Sequence, residues 1–221
     1  MNIALKQNLN MKQIIFIACA LLIGTTINAQ SGLGINFSVT QNFNSENSIL
    51  LGNGTNYEYE FTSKGFNTGY SLGVFHGTNI ADIFYFNKSL QLVKESQSFQ
   101  ISNLTDAPFD ESTVDRYTIQ VPVTAGIKIG ALSIGVGPAM NIIASESRAE
   151  ELDQTFRINQ ERVSWSGILE SNYELNRMIS VQFKLIQSFN GASSGYYYNN
   201  QPVKLDKQPR QWSAGIIVTP F

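Results

Sequence analysis

Between Arg116 and Ile129 every second residue is apolar. Tyr117, Ile119, Val121, Val123, Ala125, Ile127 and Ile129 alternate with Arg116, Thr118, Gln120, Pro122, Thr124, Gly126 and Lys128. Successive side chains leave a strand on opposite faces, so this run predicts a strand with one oily face and one polar or small face. The same period recurs along the chain. Leu33, Ile35, Phe37 and Val39 alternate with Gly34, Asn36, Ser38 and Thr40; Tyr70, Leu72 and Val74 with Ser71 and Gly73; Leu132, Ile134 and Val136 with Ser133, Gly135 and Gly137. Val163, Trp165, Leu169 and Tyr173 oppose Arg162, Ser164, Ser166, Glu170, Asn172 and Glu174, and Ile179, Val181, Phe183 and Leu185 oppose Ser180, Gln182 and Lys184. A noisier strand runs from about Ile83 to Phe99, with Leu90 and Leu92 as its best apolar pair. The last strand, from Arg210 to Phe221, is ambiguous in phase, because Trp212, Ala214, Ile216 and Val218 compete with Ile217 and Phe221. The pattern predicts eight strands of about ten residues or more.

Their connections alternate in length. Those around Thr78 to Asp82, Gly130-Ala131 and Asn176-Arg177 are short. Those holding Asn44-Ser45-Glu46-Asn47, Asp106 to Glu111, Ser145 to Gln160, and Gly191 to Gln208 are long and polar. Short turns at one end and long loops at the other are expected of an antiparallel barrel that crosses a bilayer.

Alternation alone fits a soluble sandwich or a lipocalin as well, with the charged face in solvent and the oily face in a packed core. Strand length and the inner-face charges favour the membrane. About 9 to 11 tilted residues cross the hydrocarbon, whereas globular strands usually have 5 or 6. Arg116, Lys128, Arg162, Glu170, Glu174 and Lys184 all fall on the polar face, where a closed barrel can pair them as an interior network filling the lumen. The fold expected is therefore all-β: an eight-stranded antiparallel up-and-down transmembrane β-barrel. Tyr70, Phe75, Tyr117, Trp165, Tyr173 and Trp212 near the strand ends are candidate interfacial girdle residues.

Composition narrows the setting. Only 14% of the 221 residues are charged against 43% hydrophobic, and the net charge of −2 supplies no basic field for nucleic acid. Residues 1–29 read as a secretory signal peptide: Lys6 and Lys12, an apolar run from Ile14 to Ile23, and a cleavage site ending at Ala29. The start could equally be Met11, and a lipoprotein signal ending at Cys19 is the rival reading, poorly matched by Phe16. Residues 30–221 then form one barrel domain. No later run of 18 apolar residues exists, and the expected location is the bacterial outer membrane.

Arg116-Tyr117-Thr118-Ile119-Gln120-Val121-Pro122-Val123, followed by Gly135-Val136-Gly137-Pro138, resembles the PorT-like outer-membrane β-barrel proteins of Bacteroidetes. Gly69-Tyr70-Ser71-Leu72-Gly73-Val74 and Ser89-Leu90-Gln91-Leu92 look like that family's second and third strands. Where the family's Y-S-x-K-G run usually ends the third strand, this chain has Val93-Lys94-Glu95-Ser96-Gln97. The resemblance implies a small OmpA/OmpX-type barrel of the cell envelope, in a family some of whose members serve protein secretion and gliding machinery.

The candidate chemistry is sparse. One His and one Cys leave little for a metal site, and no cofactor is expected. His76 could join a Ser and an acid for acyl transfer, but it lies beside a short turn, away from the outer leaflet. The carboxylates of Glu146 to Asp153 and Asp106 to Asp115 lack calcium-loop spacing. Pro122 cannot donate to a ladder, so it predicts a bulge or a break in pairing, with Pro138 marking the same patch. Tyr196, Tyr197 and Tyr198 in the last long loop are candidate contact residues for a protein or glycan. The role expected is a non-enzymatic envelope component, structural or adhesive, or an accessory to a protein secretion complex, amid outer-membrane lipid and lipopolysaccharide. A small-solute or hydrophobic-ligand transport barrel and a lipid-modifying enzyme are the alternatives.

Overall fold

The computed structural model describes residues 31–42, 47–53, 56–64, 68–80, 83–103, 109–146, 156–158, 163–189, 196–198, 201–203 and 210–219. The proposed signal peptide, Arg162 and the terminal Phe221 lie outside the described residues. In chain order the strands are β1 (Ser31–Asn42), β2 (Asn47–Asn53), β3 (Asn56–Lys64), β4 (Thr68–Ile80), β5 (Phe84–Asn103), β6 (Phe109–Ile129) and β7 (Leu132–Glu146). They continue as β8 (Phe156–Ile158), β9 (Val163–Glu174), β10 (Ile179–Ser188), β11 (Tyr196–Tyr198), β12 (Gln201–Val203) and β13 (Arg210–Val218).

Around the barrel the order is β1, β4, β5, β6, β7, β9, β10 and β13, each antiparallel to the next. The last strand then pairs back onto the first, from Ile35↔Val218 to Asn42↔Gln211. The result is a closed all-β barrel of eight antiparallel strands in up-and-down order. Two described turns share one end, where Ile80 of β4 also meets Phe84 of β5. Gly130-Ala131 joins β6 to β7 with Gly130 at φ 61°, a left-handed conformation that glycine adopts without strain. Between β9 and β10, the Asn176 side-chain oxygen accepts from the amides of Met178 (2.8 Å) and Ile179 (2.9 Å), which fixes the turn.

The side-chain alternation has the polarity expected. Leu33, Ile35 and Phe37 point outward and are exposed, while Asn36, Ser38 and Thr40 point inward and are buried. Leu169 and Tyr173 on β9, and Val181, Phe183 and Leu185 on β10, are likewise exposed; Glu170, Asn172, Gln182 and Lys184 are buried. On β13 the phase is settled: Ile216 and Val218 are exposed, whereas Ser213 and Ile217 are buried inside. Tyr70, Tyr117, Trp165 and Tyr173 face out, as girdle residues should. Phe75 does not. It shares the inner face with Ser71 and Gly77, and its ring lies 3.0 Å from where a Cβ on Gly77 would be. The small neighbour makes room for a ring inside the narrow bore.

The proline patch breaks pairing without a bulge. Ser89 and Leu90 lose their β6 partners at Val121 and Pro122, yet the β5–β6 register is the same on both sides of the gap. The β6–β7 ladder is likewise interrupted beside Pro138, and its one register shift falls at Tyr117/Thr118. Each ring removes an N–H from the ladder, which the neighbouring pairs tolerate in place.

Beyond the loop end the strands run further than alternation indicates. Of the polar loop expected from Asp106 to Glu111, residues 109–111 open β6 and β5 continues to Asn103, while residues 106–108 lie outside the described residues. Within the expected first loop, β2 and β3 form a hairpin, and β3 pairs with β5 from Tyr59↔Asn103 to Lys64↔Ser98. A short alternation does mark part of it, Tyr57, Tyr59 and Phe61 against Glu58, Glu60 and Thr62, and Phe99 and Ile101 against Ser98, Gln100 and Ser102. Polar pairs such as Ser48–Thr62 (2.8 Å) and Ser98–Thr113 (3.2 Å) join neighbouring strands. Tyr196 to Tyr198 form β11, the middle strand of a second small sheet between β8 and β12.

Candidate functional site

The interior is where polar chemistry concentrates. At mid-height Glu170 of β9 is 3% exposed, and its Oε1 accepts three hydrogen bonds: from Asn87 Nδ2 (2.8 Å), Thr124 Oγ1 (2.5 Å) and the Tyr85 hydroxyl (3.3 Å). Tyr85 and Asn87 stand on β5, three strands away, so these bonds cross the lumen. Lys184 of β10, also buried, is the direct ladder partner of Glu170. Tyr85 reaches this position because β7 offers a glycine: a Cβ on Gly135 would sit 2.2 Å from the tyrosine hydroxyl. Gln182 donates to Asn172 (2.9 Å) just below.

Two further chains line the walls. Ser213 Oγ donates to Ser38 (2.8 Å), which bonds Ser71 (2.6 Å), so hydroxyls stitch β13, β1 and β4 across the closing seam. Gln120 donates to Asn141 (2.8 Å) and Asn141 to Ser166 (3.1 Å) across β6, β7 and β9. Toward the loop end, inward Ala139, Ile168 and Ile186 form a buried apolar cluster. Above it Gln211 Nε2 donates to Glu95 (2.8 Å), again across the bore. Among Thr40, Ser71, Gln91, Lys184 and Ser213 a void of about 10 Å³ remains, room for about one water. Side chains fill an eight-stranded bore of this size, and cross-lumen hydrogen bonds would have to break for a water column to form.

The residues anticipated as one interior network separate into levels. Glu170 and Lys184 are adjacent at mid-height. Lys128 and Glu174 form an ion pair of 2.5 Å at the turn end, where both are partly open to solvent. Arg116 lies at the rim, opposite Glu95 in the β5–β6 ladder. The neutral partners Tyr85, Asn87 and Thr124 were missed, since uncharged polar residues on a polar face carry no distinguishing mark. His76 lies on the outer face, in register with Leu33 and Lys88. Among the described residues no three His, Cys, Asp or Glu side chains cluster closely enough to hold a metal.

The outside of the barrel carries an apolar belt, including Leu33, Leu72, Leu92, Ile127, Val136 and Phe183, all more than a third exposed. Monomeric soluble proteins rarely show contiguous apolar patches beyond a few hundred Å². Along β6 the outward row from Tyr117 to Ile129 spans about 40 Å, or about 30 Å along the axis at a 40° tilt, the thickness of the hydrocarbon. No described helix is long and apolar enough to cross a membrane. A closed barrel, oily outside and polar inside, leaves no barrel strand with a bare edge and defines the class: a transmembrane β-barrel.

No family model matches the chain, and no curated protein matches it. Among solved structures it is similar to the translocator domain of the autotransporter NalP from Neisseria meningitidis, with 13% identity, a TM-score of 0.39, and 95% of each chain covered. It is also similar to the NanC porin (8% identity, TM-score 0.28, covering 83% of this chain and 99% of that one). A third is the transport unit of the autotransporter AIDA-I from Escherichia coli (9% identity, TM-score 0.32, covering 94% and 96%).

Proposed function

We propose that this chain is a non-enzymatic outer-membrane β-barrel serving as an envelope component, structural or adhesive, or as an accessory to a protein secretion complex. It works through what it holds outside the membrane rather than through its bore. The observation that carries this reading is the contrast between a filled lumen and a long outer ribbon. Past Lys94, the last β5 residue to meet Tyr70 near the start of β4, nine residues run on to Asn103, about 30 Å of strand beyond the rim. The ribbon has the order β2-β3-β5-β6, and among the described residues β2 and the first seven residues of β6 each pair on one side only. Such edges offer backbone donors and acceptors to an extended segment of a partner. The resemblance to PorT-like barrels of Bacteroidetes supports a secretion accessory among the envelope roles, and the surrounding partners are outer-membrane lipid and lipopolysaccharide.

The test is cross-linking in intact outer membranes, comparing the full chain with a variant whose residues 97–113 are replaced by a two-residue turn. A partner captured by the full chain and lost from the variant, while the variant still folds, supports the reading. A stable ion-selective conductance in planar bilayers overturns it, as does acyl release from phospholipid that vanishes in His76→Ala.

A further inference from the structure

The outer wall is not uniformly studded with side chains. On β9 the outward position between Trp165 and Leu169 is Gly167, and an open groove of about 730 Å³ runs over it, bordered by Val136, Leu169, Leu185, Gln187 and Arg210. Phe189 lies beside it, its ring 2.9 Å from where a Gly167 Cβ would be, so the glycine lets the tip of the ring approach the wall. The lining reaches Gln187 and Arg210 toward the loop end of the barrel. Its head carries Arg210, the first residue of β13, directly opposite Gln187 of β10. Arg210 Nε donates to Gln187 Oε1 (2.9 Å), which holds the guanidinium beside the groove. The residue is exposed.

We infer that this groove seats one acyl chain of a phosphorylated outer-leaflet lipid, the lipid A portion of lipopolysaccharide, with Arg210 binding its phosphate. The inference rests on the outer-membrane reading above, which places the loop end and Arg210 at the outer leaflet. The chemistry is complementary at both ends. A flexible hydrocarbon chain fits a gap in an apolar wall, and a planar guanidinium presents paired N–H donors matched to phosphate oxygens. A phosphate at the rim stays at the headgroup level, so no charge enters the hydrocarbon.

The test uses the full mature chain in detergent micelles, with bisphosphoryl lipid A, the same lipid A dephosphorylated, and phosphatidylglycerol as probes, read by native mass spectrometry. The expected result is retention of bisphosphoryl lipid A about tenfold above its dephosphorylated form, in line with a charge-assisted hydrogen bond. Arg210→Ala should remove that preference and Arg210→Lys restore part of it. Gly167→Leu, which meets only the movable Phe189 ring, should fill the groove and lower retention of both forms of lipid A. Equal retention by wild type and Arg210→Ala, equal binding of the dephosphorylated lipid, or equal competition by phosphatidylglycerol overturns the assignment. Orientation is read separately by labelling Ser48→Cys with a membrane-impermeant maleimide in whole cells. Labelling without lipid A preference defeats the groove alone; preference without labelling defeats the outer-membrane reading.

Discussion

Replacing Glu170 by leucine tests whether the mid-height network holds the barrel together. Oε1 of Glu170 terminates three donors, from Asn87, Thr124 and Tyr85, and leucine accepts none of them. A buried donor left unsatisfied costs about 1–3 kcal/mol, and the Thr124 hydroxyl can rotate elsewhere, so the three together amount to roughly 3–6 kcal/mol. Lys184, 2% exposed and opposite in the ladder, loses its counter-charge as well. Removing one member of a contacting buried ion pair costs about 3–5 kcal/mol; Lys184 and Glu170 are ladder neighbours without such a contact, so that figure is an upper bound here. The combined loss is comparable to the whole stability of a typical domain, about 5–15 kcal/mol. Glu170→Gln keeps an acceptor and the shape, and should cost only about 1–3 kcal/mol. The assay is urea unfolding from phospholipid vesicles, followed by tryptophan fluorescence and by the gel mobility of the folded form. The double variant Glu170→Leu/Lys184→Met should be more stable than Glu170→Leu alone, because no lone charge remains inside. A Glu170→Leu protein within about 1 kcal/mol of wild type would refute the reasoning, since it would mean these bonds exchange freely for water.

Three other outcomes follow from the same structure. Gly135→Val should displace the Tyr85 ring and break its bond to Glu170, costing about 2–4 kcal/mol in the same unfolding assay, whereas Tyr85→Phe should cost nearer 1. Lys128→Met should lose less than about 1 kcal/mol, because its ion pair with Glu174 is 22% and 47% exposed and screened by water. At the base of the outer ribbon, the Ser96 hydroxyl and the Lys94 ammonium hold the Asp115 carboxyl below its usual range. A carboxylate with a lowered folded value stabilises above its ordinary value near 4 and loses that contribution as pH falls through and below it. Protection factors of the amides of residues 96–98 and 113–115 should therefore fall as pH drops below about 4 in wild type and stay constant in Asp115→Asn, with those of the barrel amides unchanged.

Much of the barrel is legible in its residues because lipid and lumen impose opposite demands on alternate positions. Leu33 to Thr40 and Val163 to Glu174 show the alternation almost without error. Legibility fails where that opposition lapses. β2 and the first residues of β6, Asn47 to Asn53 and Phe109 to Asp115, lack the alternation. The short alternations that do mark β3 and the end of β5, Tyr57, Tyr59 and Phe61 and then Phe99 and Ile101, sit in stretches too polar overall to stand out from a loop. Ile217, Val93 and Ile186 are apolar yet face inward, which blurs the phase of β13 and hides the apolar layer inside the bore. Of the interior site, Glu170 and Lys184 stand out as charges on a polar face. Tyr85 does not, because only the absence of a side chain at Gly135, far away in the chain, tells where its hydroxyl ends up.

The serine stitch across the seam bears on how the molecule is built. Ser213 and Ser38 are 175 residues apart in the chain, yet they share a hydrogen bond where the cylinder shuts. Until β13 arrives, β1 is an unmated edge with its amides bare to hydrocarbon, an arrangement a bilayer does not tolerate. Insertion and zippering must therefore be concerted or chaperoned, and damage to the final strand should leave the entire polypeptide uninserted rather than yield a leaky pore.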